Sequence, residues 1–175
     1  MSYVEVLILR HLMRGPAHGY ELRKHVEEGA GVALNNNALY PALRRFEEAG
    51  AVTKVSEQQV GRPARHVYTL TEVGREMLQD MLTELPSGAD ETEFLTRVAQ
   101  FAMLTPEERA GVLAAREGAV RARAEFLRAL LGRATGETWG IRVSEELIRR
   151  CEAELAWLRE LGAAAVREPV RPEGE

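Results

Sequence analysis

Asn37, Tyr40 and Arg44 follow one another at intervals of three and four residues. On a helix, that spacing sets an amide, a phenol and a guanidinium on one face. The other face is apolar, with Leu39, Ala42, Leu43 and Phe46 recurring at i, i+3, i+4, i+7. Such polar groups in register suit base edges and phosphate oxygens, whereas an ordinary solvated helix carries Glu and Lys there. Arg45 follows within reach of a phosphodiester backbone, and the run Asn35, Asn36, Asn37 can cap the helix and add contacts. A second basic element, Gly61-Arg62-Pro63-Ala64-Arg65, offers Arg62 and Arg65 to flanking phosphates.

Other chemistry-bearing residues do not form a reactive set. His11, His18 and His25 lie seven apart, which suggests a metal site. Gly15-Pro16 interrupts the helix between the first two, and no carboxylate or cysteine completes a tetrahedral set at ligand spacing. His66 reads as a phosphate neighbour or a strand-face residue. Cys151 falls on an apolar helical stripe, where a thiol packs rather than reacts. The chain has no GxSxG, no phosphate-binding GxxxxGKS and no GxGxxG opening a helix after a strand. No catalytic residue, metal or cofactor is therefore expected, and the chain does not read as an enzyme.

The polar helix needs elements to hold it. Val4, Leu7, Ile8 and Leu12 mark a first helix, stopped by Gly15-Pro16. His18-Gly19-Tyr20-Glu21-Leu22 opens a second, running to about Glu28, with Tyr20 expected to pack beneath the pair and Tyr40 to face outward. Gly29, Gly31 and the asparagine run separate it from the third, which spans about Asn35 to Gly50. Three helices with short turns make a helix-turn-helix. Val52 to Ser56 and His66 to Leu70 then read as two strands, their connection too long for a two-residue hairpin. Thr71 is the expected cap of a fourth helix along Met77, Leu78, Met81 and Leu85. A helix followed by a two-stranded ribbon with a basic tip is the order of a winged helix.

The second half reads as long helices after a linker at Pro86-Ser87-Gly88-Ala89-Asp90, with a short helix at Phe94, Val98 and Phe101 between. Thr105-Pro106-Glu107-Glu108 combines an N-cap, a first-position proline and a capping-box glutamate. Leu113, Glu117, Val120, Ala124, Leu127 and Leu131 follow 4-3 spacing, and so do Ile148, Cys151, Leu155 and Leu158. Two such helices carry more apolar stripe than one small domain can cover, so the last helix is expected to dimerise; the alternative is an intramolecular helical pair. Trp139, read as the loop before the last helix, is placed to line a pocket between the two domains, and Trp157, one position off the stripe, to flank a helix interface. The fold class is mainly α with a small β-wing. Residues 1–85 form a winged helix-turn-helix DNA-binding domain, 91–166 a helical dimerisation and effector domain, and 167–175 a flexible tail.

Charge is local rather than global. The net charge of the chain is −4, and residues 1–85 carry 10 Lys+Arg against 11 Asp+Glu. From Leu34 to Leu70, however, Arg44, Arg45, Lys54, Arg62 and Arg65 stand against Glu47, Glu48 and Glu57, a local +2. Phosphate affinity follows the contacts made, so the local count decides. No apolar run reaches the length of a membrane span and the start lacks a signal-peptide cleavage site, so a cytoplasmic protein without a membrane partner is expected. The single cysteine fits a reducing compartment.

Several motifs in order, HGYEL (His18 to Leu22), ALYPALRRFEEAG (Ala38 to Gly50), GRPARHVYTLT (Gly61 to Thr71) followed by Gly74, and ELAWL (Glu154 to Leu158), make the chain resemble the PadR family of bacterial transcriptional regulators, in its longer branch with a helical C-terminal domain. The resemblance runs from about Val4 to about Leu161. Ala38 departs from it, standing where the family often has a hydroxyl residue. The resemblance implies a homodimer joined through the C-terminal helices, double-stranded DNA with a pseudo-palindromic operator as partner, and release of a repressor by a small aromatic or hydrophobic effector, for which Trp139 and Trp157 are the candidate residues. A winged-helix adaptor that uses the same face to bind protein is the competing reading.

Overall fold

The computed structural model describes residues 3–30, 36–59, 62–133 and 138–169. They form two compact units, one of residues 3–84 and 90–99, the other of 85–89 and 100–169 within the described stretches. Among the described residues no helix is long and apolar enough to cross a membrane.

In the first unit, α1 (Tyr3–Leu12) is the hub. Val4, Val6, Ile8, Leu9 and Leu12 are all buried, because α2 (Gly19–Ala30), α3 (Asn36–Glu48), α4 (Glu72–Thr83) and α5 (Glu91–Val98) pack around it. The stripe expected on α3 is the one that goes inside: Leu39, Ala42, Leu43 and Phe46 are buried. The helix ends in a Schellman motif. Gly50 takes φ +72°, the Ala51 N–H donates to the Phe46 carbonyl at 2.8 Å, and the Gly50 N–H donates to that of Glu47 at 3.1 Å.

Among the described residues the sheet has three strands rather than two. Ala17 and His18 form β1, which pairs antiparallel with β3 (Arg62–Leu70) through Ala17↔Tyr68 and His18↔Val67. β2 (Val52–Gln59) pairs with the other edge of β3, giving the order β1-β3-β2. A two-residue strand leaves no periodic trace, so β1 escaped the sequence reading. The ribbon is also longer than the strands expected there. The ladder continues through Glu57↔Arg65 to Gln59↔Arg62, with an irregularity between Glu57 and Gln59. Only residues 60 and 61 separate the paired ends, so the expectation of a long connection fails and Arg65 belongs to a strand.

Thr71 locks the base of this ribbon to the helices. Its hydroxyl accepts from the Gly74 N–H at 3.2 Å, as an N-cap does, and donates to the Gly50 carbonyl at 2.7 Å. Gly74 is required for the approach, since a Cβ there would lie 2.2 Å from the Ala51 carbonyl oxygen. α5 belongs to this unit as well, packing on α1, and its buried Arg97 donates to the Glu84 and Glu93 carbonyls. The chain thus passes between the units at Glu84/Leu85, at Ala89/Asp90 and again after Ala99, so α5 belongs with the first unit.

The second unit is an antiparallel pair, α6 (Pro106–Leu131) and α7 (Thr138–Arg167). The capping box at Thr105 and Glu108 forms with both of its hydrogen bonds. Val120, Ala124 and Leu127 of α6 enclose Cys151, with Ile148 and Leu155 packed against them. The α7 stripe therefore has its cover inside one chain, through α6, and the expectation that it lacks one is corrected. Leu158 is buried too. Two charged residues escaped the reading. Arg116 binds Glu154 at 2.6 Å and donates to the Ala89 carbonyl. Arg109, 1% exposed, donates to the carbonyls of Phe101, Ala165, Glu168 and Pro169. The unpaired carbonyls at the end of α7 serve it in place of a carboxylate. Glu168 and Pro169, at the start of the expected tail, thus contribute carbonyls to Arg109, and residues 170–175 lie outside the described ones.

Candidate nucleic-acid interface

With its apolar stripe inside, α3 turns Tyr40, Pro41, Arg44, Glu47 and Glu48 outward. Tyr40 is 49% exposed. The Arg44 side chain is 80% exposed and only 3.7 Å from Glu48, a surface pairing that a phosphate can displace. Arg45 behaves differently. Its guanidinium donates to the Glu5 carboxylate of α1 at 2.6 Å, and Glu5 is buried. Arg45 is therefore a tie between α1 and α3, a role that spacing along α3 alone could not show. Asn36 and Asn37 open α3, and Asn35 lies outside the described residues. Arg62 begins β3 opposite Gln59, and Arg65 is exposed opposite Glu57.

Two concavities flank Tyr40. One, of about 470 Å³, is lined by Tyr40, Pro41, Arg44, Arg45, Glu47, Lys54 and Tyr68. It adds Lys54, from the neighbouring strand, to the cations of α3. The other, of about 480 Å³, brings the start of α2 to the edge of β3, with Tyr20, Tyr40, Arg65 and His66 in its lining. Tyr20 does not pack beneath the helices as expected but is 68% exposed, with the Arg23 guanidinium 5.6 Å from its ring centroid. The signal was present in the sequence: the buried residues of α2 are Leu22 and Val26, and Tyr20 falls off that i, i+4 line. Tyr68 forms the shared floor. Burial, then Tyr40 and Glu47, push its phenol above the usual value, so it remains a neutral hydrogen-bonding group.

Of the three regularly spaced histidines, the fold joins two. The His11 and His25 rings lie 4.0 Å apart between α1 and α2. Burial, followed by the charges of His25 and Arg14, holds His11 below the usual imidazole value, with Glu21 opposing. His18 stands apart on β1, its Nδ1 3.4 Å from the His66 carbonyl.

In the second unit, the four residues expected at a dimer contact are those packed inside the α6–α7 pair or buried beside it. Trp139 lies in the first turn of α7 rather than in a loop, 78% exposed, with the Arg142 guanidinium 5.3 Å from its ring. Trp157 is 38% exposed. Eighteen helical residues separate the two, roughly 27 Å along the axis, so within one chain they cannot enclose a single small ligand.

Residues 8–80 match the Transcriptional regulator PadR-like family. A 37.1 kDa uncharacterised protein encoded in a transposon of Streptomyces fradiae is 36% identical over 75 residues, 43% of this chain and 21% of that protein. The negative transcriptional regulator PadR of Bacillus subtilis strain 168 is 27% identical over 84 residues, 47% of this chain and 46% of that protein. The chain thus spans about a fifth and about half the length of these two curated relatives. A crystal structure of Bacillus subtilis PadR in complex with operator DNA aligns over 94% of this chain and 99% of that one, at 20% identity and a TM-score of 0.44. Over residues 8–80, this chain is similar to the PadR-like family of transcriptional regulators.

Proposed function

We propose that the protein is a non-enzymatic, cytoplasmic repressor that binds a pseudo-palindromic operator as a homodimer. The observation that carries this reading is the outward face of α3, where Tyr40 and Arg44 project beside Lys54 and above a ribbon bearing Arg65. A helix with such a face enters a major groove, and the ribbon follows the adjacent backbone. Repression is supported by the Bacillus subtilis relative, which is a negative regulator. The test is binding to a duplex bearing the pseudo-palindrome upstream of the gene, with salt dependence measured. An α3 face that serves protein contact instead gives no such dependence.

The homodimer is proposed to use what the helical pair leaves uncovered. Phe126 and Leu130 lie four apart on α6, as do Trp139 and Val143 on α7, and all four are exposed at the end where the two helices meet in sequence. Release by a small aromatic or hydrophobic compound belongs to the same reading. Such a compound must bind the DNA-incompetent state better than the competent one. Trp139 and Trp157 would report it by fluorescence, and titrating aromatic compounds with and without operator tests the coupling.

A further inference from the structure

The cavity between α2, α3 and β3 contains more ionisable chemistry than a passive notch needs. His18 enters it from β1, Tyr20 and Glu21 from α2, Tyr40 from α3, and Arg65, His66 and Tyr68 from β3. The charges facing His18 can be enumerated. Glu21 accepts from the His18 backbone N–H at 2.8 Å, and Glu57 on β2 lies 4.0 Å from its Nε2. Arg65 is the fixed cation of the cavity, and Tyr20, Tyr40 and Tyr68 supply neutral hydroxyls. With both imidazoles neutral, one guanidinium stands against two carboxylates, and the site does not favour an anion. With both protonated, the count becomes three cations against two carboxylates.

The cavity shares Tyr40 and Arg65 with the proposed DNA face, so the anion that reaches it when α3 is docked is a backbone phosphate. Histidine is the side chain whose charge ordinarily changes between about pH 5 and 8. We infer that His18 and His66 make this cavity a proton-linked phosphate site, so that the protein takes up protons as it binds duplex DNA. This rests on the DNA-binding reading and adds to it a defined site and a defined pH dependence. Sign follows from linkage: a complex that holds more protons than its free components grows tighter as pH falls.

The test uses the full chain and a fluorescein-labelled mixed-sequence duplex of about three helical turns, since phosphate contacts are sequence-independent. Titration calorimetry at pH 7 in two buffers of different ionisation enthalpy reads proton uptake directly. Anisotropy between pH 6 and 8 reads affinity, which should rise by up to about tenfold per pH unit for each proton taken up. The His18→Gln and His66→Gln double variant, checked by its melting curve, should bind with little proton uptake and a shallower slope. His25→Gln, outside the cavity, should keep the wild-type slope. Wild-type binding without proton uptake, or an unchanged slope in the double variant, overturns the inference and leaves the DNA reading standing. Absence of any salt-sensitive duplex binding by the wild type overturns both.

Discussion

The Arg45 guanidinium and the Glu5 carboxylate meet at 2.6 Å, joining the outward helix α3 to the hub helix α1. The Glu5 side chain is 11% exposed and that of Arg45 58%, so one partner depends on the other for its solvation. Removing the arginine takes a close countercharge from a nearly buried carboxylate, which costs more than losing a surface pair. Arg45→Ala should lower unfolding stability by about 1–3 kcal/mol, read by urea denaturation. Glu5→Gln should cost less, because an amide needs no countercharge. Equal stability of Arg45→Ala and wild type would mean that the contact is not a tie and return Arg45 to the DNA face.

Tyr40 and Arg44 have no comparable duty inside the fold. Tyr40→Ala and Arg44→Ala should each weaken operator binding by about 1–3 kcal/mol if they read base edges, with unchanged melting curves. Arg65→Ala should weaken binding to all duplexes and lower the salt slope by about one unit. Intact binding in the triple variant would remove α3 and the ribbon from the interface.

What the sequence revealed and what it hid divide along physical lines. The α3 stripe, the Thr71 cap and the Thr105 capping box are local patterns, and each formed where its residues lie. Arg45 is different, since its partner is 40 residues away and no periodicity links them. Arg109 reaches carbonyls 56 to 60 residues on, so a charged residue on α6 is buried for a reason that lies on α7. The 4-3 stripe of α7 was legible as an interface, but its spacing is the same whether the partner helix is in the same chain or another. Tyr40 and Arg44 were placed outward correctly by spacing. Lys54 and Tyr20 join them only through the packing of separate elements.

The His11–His25 stack predicts a pH dependence of stability. Burial, then His25 and Arg14, depress the folded-state value of His11 below the 6.5 of an ordinary imidazole. The unfolded chain therefore binds the proton more readily, and stability rises with pH. The contribution is fully present above pH 6.5, declines as pH falls below it, and is lost once the folded-state value is passed. Chemical denaturation at steps between pH 5 and 8 should show this slope, and His11→Gln should flatten it. A slope unchanged in His11→Gln would assign the effect to other groups.

Assembly supplies the last prediction. Since Cys151 and Leu158 are buried within one chain, replacing them should unfold the α6–α7 pair rather than part a dimer. Cys151→Asp would place an unpaired carboxylate among Val120, Ala124 and Leu127, and the loss should be seen as reduced helical ellipticity. The exposed residues should behave in the opposite way. Phe126→Ser with Val143→Ser removes apolar surface that no part of the described chain covers, so the fold should keep its melting temperature within a few degrees. In sedimentation, the wild type should run as a dimer at micromolar concentration and the double variant as a monomer. The variant should also bind a two-half-site operator far more weakly while binding one half-site as before, because only the linked heads gain from the second site. A folded variant that still sediments as a dimer would move the contact to another surface.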